Sequence, residues 1–177
     1  MRPRPSSLHV LAEMTESLSE FGHNLRDWLH EIRRHSSRSE LERTVAEEPR
    51  ELRGRFADGD VADAWLGAYA EYLSRRIDRP PPEWAFHSSR ILENPWFAPE
   101  FDTLRLRRLA LLHSPLPFKR RNIYTPNVDL PLRLRAGRPR KPLEEKRQAN
   151  AARQSRFRTR RKEELERLRE FAAKIGN

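Results

Sequence analysis

Between positions 8 and 32, apolar residues recur at Leu11, Met14, Leu18, Phe21, Leu25, Trp28 and Ile32. The steps alternate between three and four, which predicts one amphipathic helix with its stripe on a single face. Gly22 weakens that helix locally without interrupting the pattern. Such a stripe either packs on the chain's own domain or forms a seam between two copies, with Leu18, Phe21, Leu25 and Trp28 at its centre. Residues 35–59 are polar and hold one short helix at 39–47, where Ser39 can cap and Glu42 stands at capping-box spacing. Asp60 then precedes a broad apolar face made by Val61, Ala64, Trp65, Ala68, Tyr69, Tyr72 and Leu73, and Pro80, Pro81 and Pro82 stop this core helix.

Trp84, Phe86, Ile91, Leu92, Trp96 and Phe97 follow between prolines, which predicts short helices and turns anchored into a core. Asp102 or Thr103 can cap a helix carrying Leu104, Leu106, Leu109, Ala110, Leu111 and Leu112 and ending before Pro115. Residues 118–132 read as a short strand or as a strap lying on the helices. After position 134 the composition changes. Gly137, Pro139 and Pro142 make a hinge, and from Leu143 no Pro or Gly occurs until Gly176, in a run of good helix formers. Its end is amphipathic through Leu165, Leu168, Phe171, Ala172 and Ile175. The expected architecture is mainly α: a small helical domain with a long N-terminal amphipathic helix and a C-terminal extended basic helix. Its parts are a helix at 1–35, a helical domain at 36–130, a basic linker at 131–142 and a basic helix at 143–177.

Charge sharpens this division. Residues 133–162 hold thirteen Arg and Lys against Glu144 and Glu145, a net of +11, while the whole chain has 36 against 26, a net of +10. Everything else therefore sums to −1. A balanced body with one concentrated cationic arm points to a polyanion partner. No cysteine is present, so disulfides and thiolate chemistry are excluded. No run approaches the roughly 18 apolar residues of a membrane span, and Glu13, Glu16 and Glu20 interrupt the start as a signal peptide. The expectation is a soluble cytoplasmic protein without a membrane partner.

Within the arm, Gly137-Arg138-Pro139-Arg140-Lys141-Pro142 resembles the core of the AT-hook, which lies extended in the minor groove of A·T-rich DNA. Pro139 holds the backbone extended, Gly137 permits close approach, and Arg138 and Arg140 suit a narrow groove of enhanced negative potential. Ala136 stands where that motif usually has another basic residue. Further on, Asn150-Ala151-Ala152-Arg153-Gln154-Ser155-Arg156-Phe157-Arg158 resembles the bZIP basic region, a helix that enters the major groove. Gln148 occupies the place of that family's asparagine, and only Leu165 and Leu168 begin a zipper-like stripe. This resemblance implies a mode of groove binding. The nucleic-acid-binding set predicted over the whole arm is Arg135, Arg138, Arg140, Lys141, Lys146, Arg147, Asn150, Arg153, Arg156, Arg158, Arg160, Arg161 and Lys162. Lys119, Arg120 and Arg121 could extend an anion-binding surface or form a solvated cationic turn.

The body also carries an ordered set of motifs: Trp65, Glu71 and Leu73, then Trp84, then Pro95-Trp96-Phe97, then Leu109, Leu111, Ser114 and Pro115, then Phe118, Arg120, Arg121, Asn122 and Ile123. In this order they resemble a family of uncharacterised prokaryotic helical domains associated with nucleotidyltransferase-type toxin modules. The resemblance spans about 40–125 and implies an antitoxin-like partner of a protein encoded nearby. The basic arm lies beyond it.

No catalytic constellation emerges. His23 and His30 lie seven apart on one helix face without a third ligand at suitable spacing, and no glycine-rich phosphate loop or serine elbow occurs. No metal or cofactor is expected. The leading expectation is a sequence-tolerant, nucleoid-associated DNA-binding regulator contacting duplex DNA in preference to RNA. An antitoxin-like interaction module is the alternative, and RNA binding by the arm a third reading.

Overall fold

The structure, a computed structural model, describes residues 4–134, 151 and 153–162. The chain divides into two units, Met1–Arg135 and Ala136–Asn177. The first is mainly helical, as expected. It comprises α1 (Leu8–Glu13), α2 (Leu18–Ile32), α3 (Arg38–Ala46), α4 (Gly59–Arg76), two 3-10 turns (Glu83–Phe86 and Ser88–Arg90), β1 (Trp96–Phe97), α5 (Leu104–His113), α6 (Leu116–Lys119) and β2 (Ile123–Tyr124).

The one long helix expected over the first stripe is two. The Ser17 hydroxyl accepts from the Glu20 amide at 3.2 Å, and the Glu20 carboxylate accepts from the Glu16 amide at 3.0 Å, so a new helix starts at Leu18. Asn24 fixes the corner by donating to the Met14 carbonyl at 3.0 Å and the Thr15 hydroxyl at 3.1 Å. Arg50 donates to the carbonyls of Ala12 (3.1 Å) and Glu13 (2.9 Å), satisfying the end of α1. The stripe turns this corner and is spent internally. Phe21 and Trp28 are buried in the domain's own core, and Leu18 and Leu25 pack half-buried against it. A seam between two copies built on these four residues is therefore replaced by packing within one chain.

The cap of α3 lies two residues before its expected place. The sequence holds two overlapping Ser-x-x-Glu frames, and the helix uses the first, with Ser37 and Glu40 exchanging reciprocal hydrogen bonds. Helix α4 starts after Asp58, whose backbone is left-handed (φ 62°), and no side chain caps it. Asp60, the residue just before the apolar face, sits in the first turn and accepts from the Val61 amide at 2.9 Å. Gly59 is required here because a Cβ would lie 2.1 Å from the Leu52 carbonyl oxygen.

Helix α4 is the centre of the domain, packing on α2, α3, α6 and both 3-10 turns. Ala62, Ala64, Leu66, Ala68, Tyr69, Ala70 and Leu73 are all buried, so it is apolar around most of its circumference. Phe118 of α6 meets Trp65 and Tyr69 edge-on, each at 5.3 Å, and Tyr69 meets Trp28 at 5.7 Å. Strands β1 and β2 form a parallel pair, Trp96 opposite Ile123 and Phe97 opposite Tyr124. Val128, Leu130, Leu132 and Leu134 then pack on the core. Residues 118–132 thus supply both the strand and the strap. Helix α5, capped by Thr103, covers a smaller cluster of Ala98, Phe101 and Ala110.

Two carboxylates of α4 lie inside this apolar setting. Asp63 accepts from the Leu52 and Arg53 amides (3.0 and 2.8 Å) and from Arg90, whose second nitrogen donates to the Pro49 carbonyl. Burial raises the Asp63 pKa, against the lowering pull of Arg90 and the two amides. One helical turn along, a Cβ on Gly67 would lie 2.7 Å from Arg121 Nε and 3.1 Å from both Arg90 Cβ and the Ala85 carbonyl. A Gly→Ala change inside a helix ordinarily gains about 1 kcal/mol. At Gly67 the added methyl meets two pinned arginines, so Gly67→Ala should instead destabilise by about 1–3 kcal/mol in urea unfolding.

Candidate nucleic-acid interface

In the second unit, residues 151 and 153–162 are helical. The described stretch 153–162 contains Arg153, Arg156, Arg158, Arg160, Arg161 and Lys162 and no acidic residue, and every one of its residues is exposed. Arg153, Arg156 and Arg160 follow one side at spacings of three and four, while Arg158, Arg161 and Lys162 follow another. Like charges so spaced repel, and no carboxylate within the stretch offsets them. A phosphate-rich partner would relieve this repulsion. Thr159 turns inward along the helix, its hydroxyl donating to the Ser155 carbonyl at 3.1 Å. Phe157 is the one apolar side chain between the cations, and it too is exposed. The predicted Arg135, Arg138, Arg140, Lys141, Lys146, Arg147 and Asn150 lie outside the described residues, as does the Gly137–Pro142 hook.

The cations predicted on the body have a different fate. Arg121 is buried, donating to Glu71 at 2.7 Å, to the Pro117 carbonyl at 2.7 Å and to the Ala85 carbonyl. Arg120 and Arg75 both reach the other oxygen of Glu71, each at 2.9 Å. Lys119 donates to the Leu112 carbonyl at 2.9 Å. These three basic positions of the 118–122 segment are therefore not a free anion-binding surface, because two are bound to one buried carboxylate and the third closes the end of α5. Burial works to raise the Glu71 pKa, but the hydrogen bonds and charges of Arg121, Arg75 and Arg120 outweigh it, and the carboxyl lies below its usual range. Burial also lowers Arg121 from its ordinary value, with Glu71 opposing it.

One cationic concavity on the body went unread in the sequence. A cleft of about 620 Å³ is lined by Arg4, His30, Arg33, Arg34, His35, Ser36 and Arg133. Its arginines are partly neutralised, Arg4 by Asp27 at 4.0 Å, Arg33 by Asp129 at 3.4 Å and Arg34 by Glu31 at 3.1 Å. Spacing along the chain could not reveal it, because its walls come from the N-terminal arm, the end of α2 and the strap. Among the described residues no three His, Asp or Glu side chains converge as a metal would need, and no helix is long and apolar enough to cross a membrane.

No protein-family pattern, curated protein or solved structure matches this chain.

The Glu71 cluster sets an acid limit. The folded carboxyl ionises below its unfolded value of about 4.3, so its contribution is present above that pH and lost as pH falls through the folded pKa. Glu71→Gln should remove that part of the acid sensitivity. At neutral pH it should cost about 3–5 kcal/mol, since Arg121 is left buried without a counter-charge. Urea titrations of both proteins between pH 3 and pH 7 measure the two effects.

Proposed function

We propose that this protein binds duplex nucleic acid, DNA in preference to RNA, through its C-terminal basic segment, and that it acts as a binding protein rather than an enzyme. The observation that carries the reading is the exposed 153–162 helix, with six cations and no acid. The body offers a contrast that supports it: there the cations of the 118–122 segment are held by Glu71 and by a helix end.

Groove dimensions favour DNA. An α-helix with its side chains is about 10–12 Å across, which suits the roughly 12 Å major groove of B-form DNA. The A-form major groove is too deep and narrow for it. Ala151 and Ser155, one turn apart, give the helix a small-residue side that lets the backbone approach base edges, while the long arginines reach the phosphates. With contacts mainly to phosphate, the binding is tolerant of sequence. The Gly-Arg-Pro segment at 137–139 adds a minor-groove anchor in this reading. A role in regulating transcription or in organising the nucleoid would follow from such binding.

Fluorescence anisotropy across a salt series, with matched DNA and RNA duplexes of random sequence, tests this. The full chain should bind DNA more tightly, with log affinity falling linearly in log salt. Replacing Arg153, Arg156 and Arg160 by Gln should flatten the slope by about 0.9 for each phosphate that is no longer neutralised. An unchanged slope, or equal affinity for the two duplexes, would remove the groove-binding reading.

A further inference from the structure

Helix α5 turns most of its leucines away from the protein. Leu106 and Ala110, four residues apart, hold its inner side against Phe97, Phe101 and Tyr124. The outer side carries Leu104, Arg108, Leu111 and Leu112 at the i, i+4, i+7, i+8 spacing of one helix face. Leu104 is 69% exposed and Leu112 70% exposed, and Leu116 at the start of α6 is 54% exposed. A domain surrounded by water gains nothing by presenting so many leucines in one place, and contiguous patches of this kind mark contact surfaces.

The charges on the same helix identify the occupant. Elsewhere on the body most arginines have a carboxylate within 4.0 Å, including Arg33, Arg34, Arg50 and Arg79. Arg105 and Arg108 have no ion-pair partner among the described residues, and α5 itself contains no acidic residue. Arg108 stands between Leu104 and Leu112 rather than at the edge of the apolar face. That interleaving distinguishes partners. Insertion into lipid needs an apolar side segregated from the cations, and here it would drag Arg108 into hydrocarbon. A second copy docking α5 on α5 would set arginine against arginine. A protein helix with an apolar stripe flanked by Asp and Glu satisfies both features, since leucines fill the grooves between leucines and arginines pair with carboxylates.

We infer that the outer face of α5, extended by Leu116, is a docking site for an acidic amphipathic helix of a partner protein. The site uses none of the residues that carry the nucleic-acid reading, so either can fail alone.

The test uses the full chain and two fluorescent synthetic helices, each of about 20 residues with leucines at i, i+3, i+4 and i+7. One has glutamates along both sides of the stripe and its twin has lysines. The acidic helix should bind the wild type at micromolar concentration. Leu104→Ser with Leu112→Ser should weaken it at least tenfold. Arg105→Glu with Arg108→Glu should abolish it and confer binding of the lysine twin. All four positions are on the outer side of α5, and circular dichroism should show both variants folded. Hydrogen exchange should slow at 104–116 when the acidic helix binds.

Three results would overturn the inference. The first is equal affinity of wild type and both variants for the acidic helix, which would assign the binding to the basic segment. The second is a wild-type dimer in light scattering that the leucine variant converts to monomer. The third is binding of anionic phosphatidylglycerol vesicles that is abolished in the leucine variant.

Discussion

The body is arranged around two carboxylates buried inside an apolar helix. Asp63 and Glu71 stand two turns apart on α4, both without solvent exposure, and each is held by an arginine from a distant loop. Buried pairs of this kind contribute little net stability, because desolvation offsets most of the attraction. Their effect is on position. Arg90 ties the second 3-10 turn to one half of α4, and Arg121 ties the end of α6 and the start of β2 to the other. Gly67 lies between, leaving the space through which both guanidinium stems pass. Apolar residues alone could slide along a helix as smooth as Ala62, Ala64, Ala68 and Ala70; a carboxylate with fixed hydrogen-bond directions cannot.

The same accounting of charge separates the two units. In the body, most arginines find carboxylates, whether buried as at Glu71, half-buried as at Glu31 or exposed as at Asp129. Between 153 and 162 there is none to find. A cation already paired must exchange partners to bind phosphate, whereas an unpaired one only releases counterions, which is why the proposed polyanion contact rests on 153–162 rather than on the body. On helix α5, Arg105 and Arg108 have no carboxylate partner among the described residues and stand among exposed leucines.

Much of this is legible in the residues, and the limits have physical causes. The extent of α4 follows from its apolar face and the prolines after it, and the Thr103 cap of α5 from its place before the leucine run. The run from 8 to 32 misleads because alternating steps of three and four persist across a sharp corner when both helices face the same core. The frame of Ser17 and Glu20 is the visible signal for that corner, outweighed by the longer pattern. Arg121 reads as surface because it stands among cations, and its partner Glu71 is 50 residues away. An acid inside an Ala- and Tyr-rich helix is the clue that such a partner must exist. For the interface, the six cations of 153–162 are exposed and helical as expected, since local propensity suffices where nothing packs. The outward leucines of α5 are not anticipated, because periodicity reports that a helix is amphipathic and not how much of its apolar side a small domain can cover.

The distance between each carboxylate and its arginine also orders events in time. Asp63 precedes Arg90 by 27 residues, and Glu71 precedes Arg121 by 50. As the chain emerges from the ribosome, each acid meets water ionised before its arginine has emerged to pair with it. For that interval the charges interrupt an otherwise sticky stretch of alanine, leucine and aromatic residues, as gatekeeper residues do in aggregation-prone segments. The groups that lock the finished core are thus also what keeps its most apolar helix from associating too early.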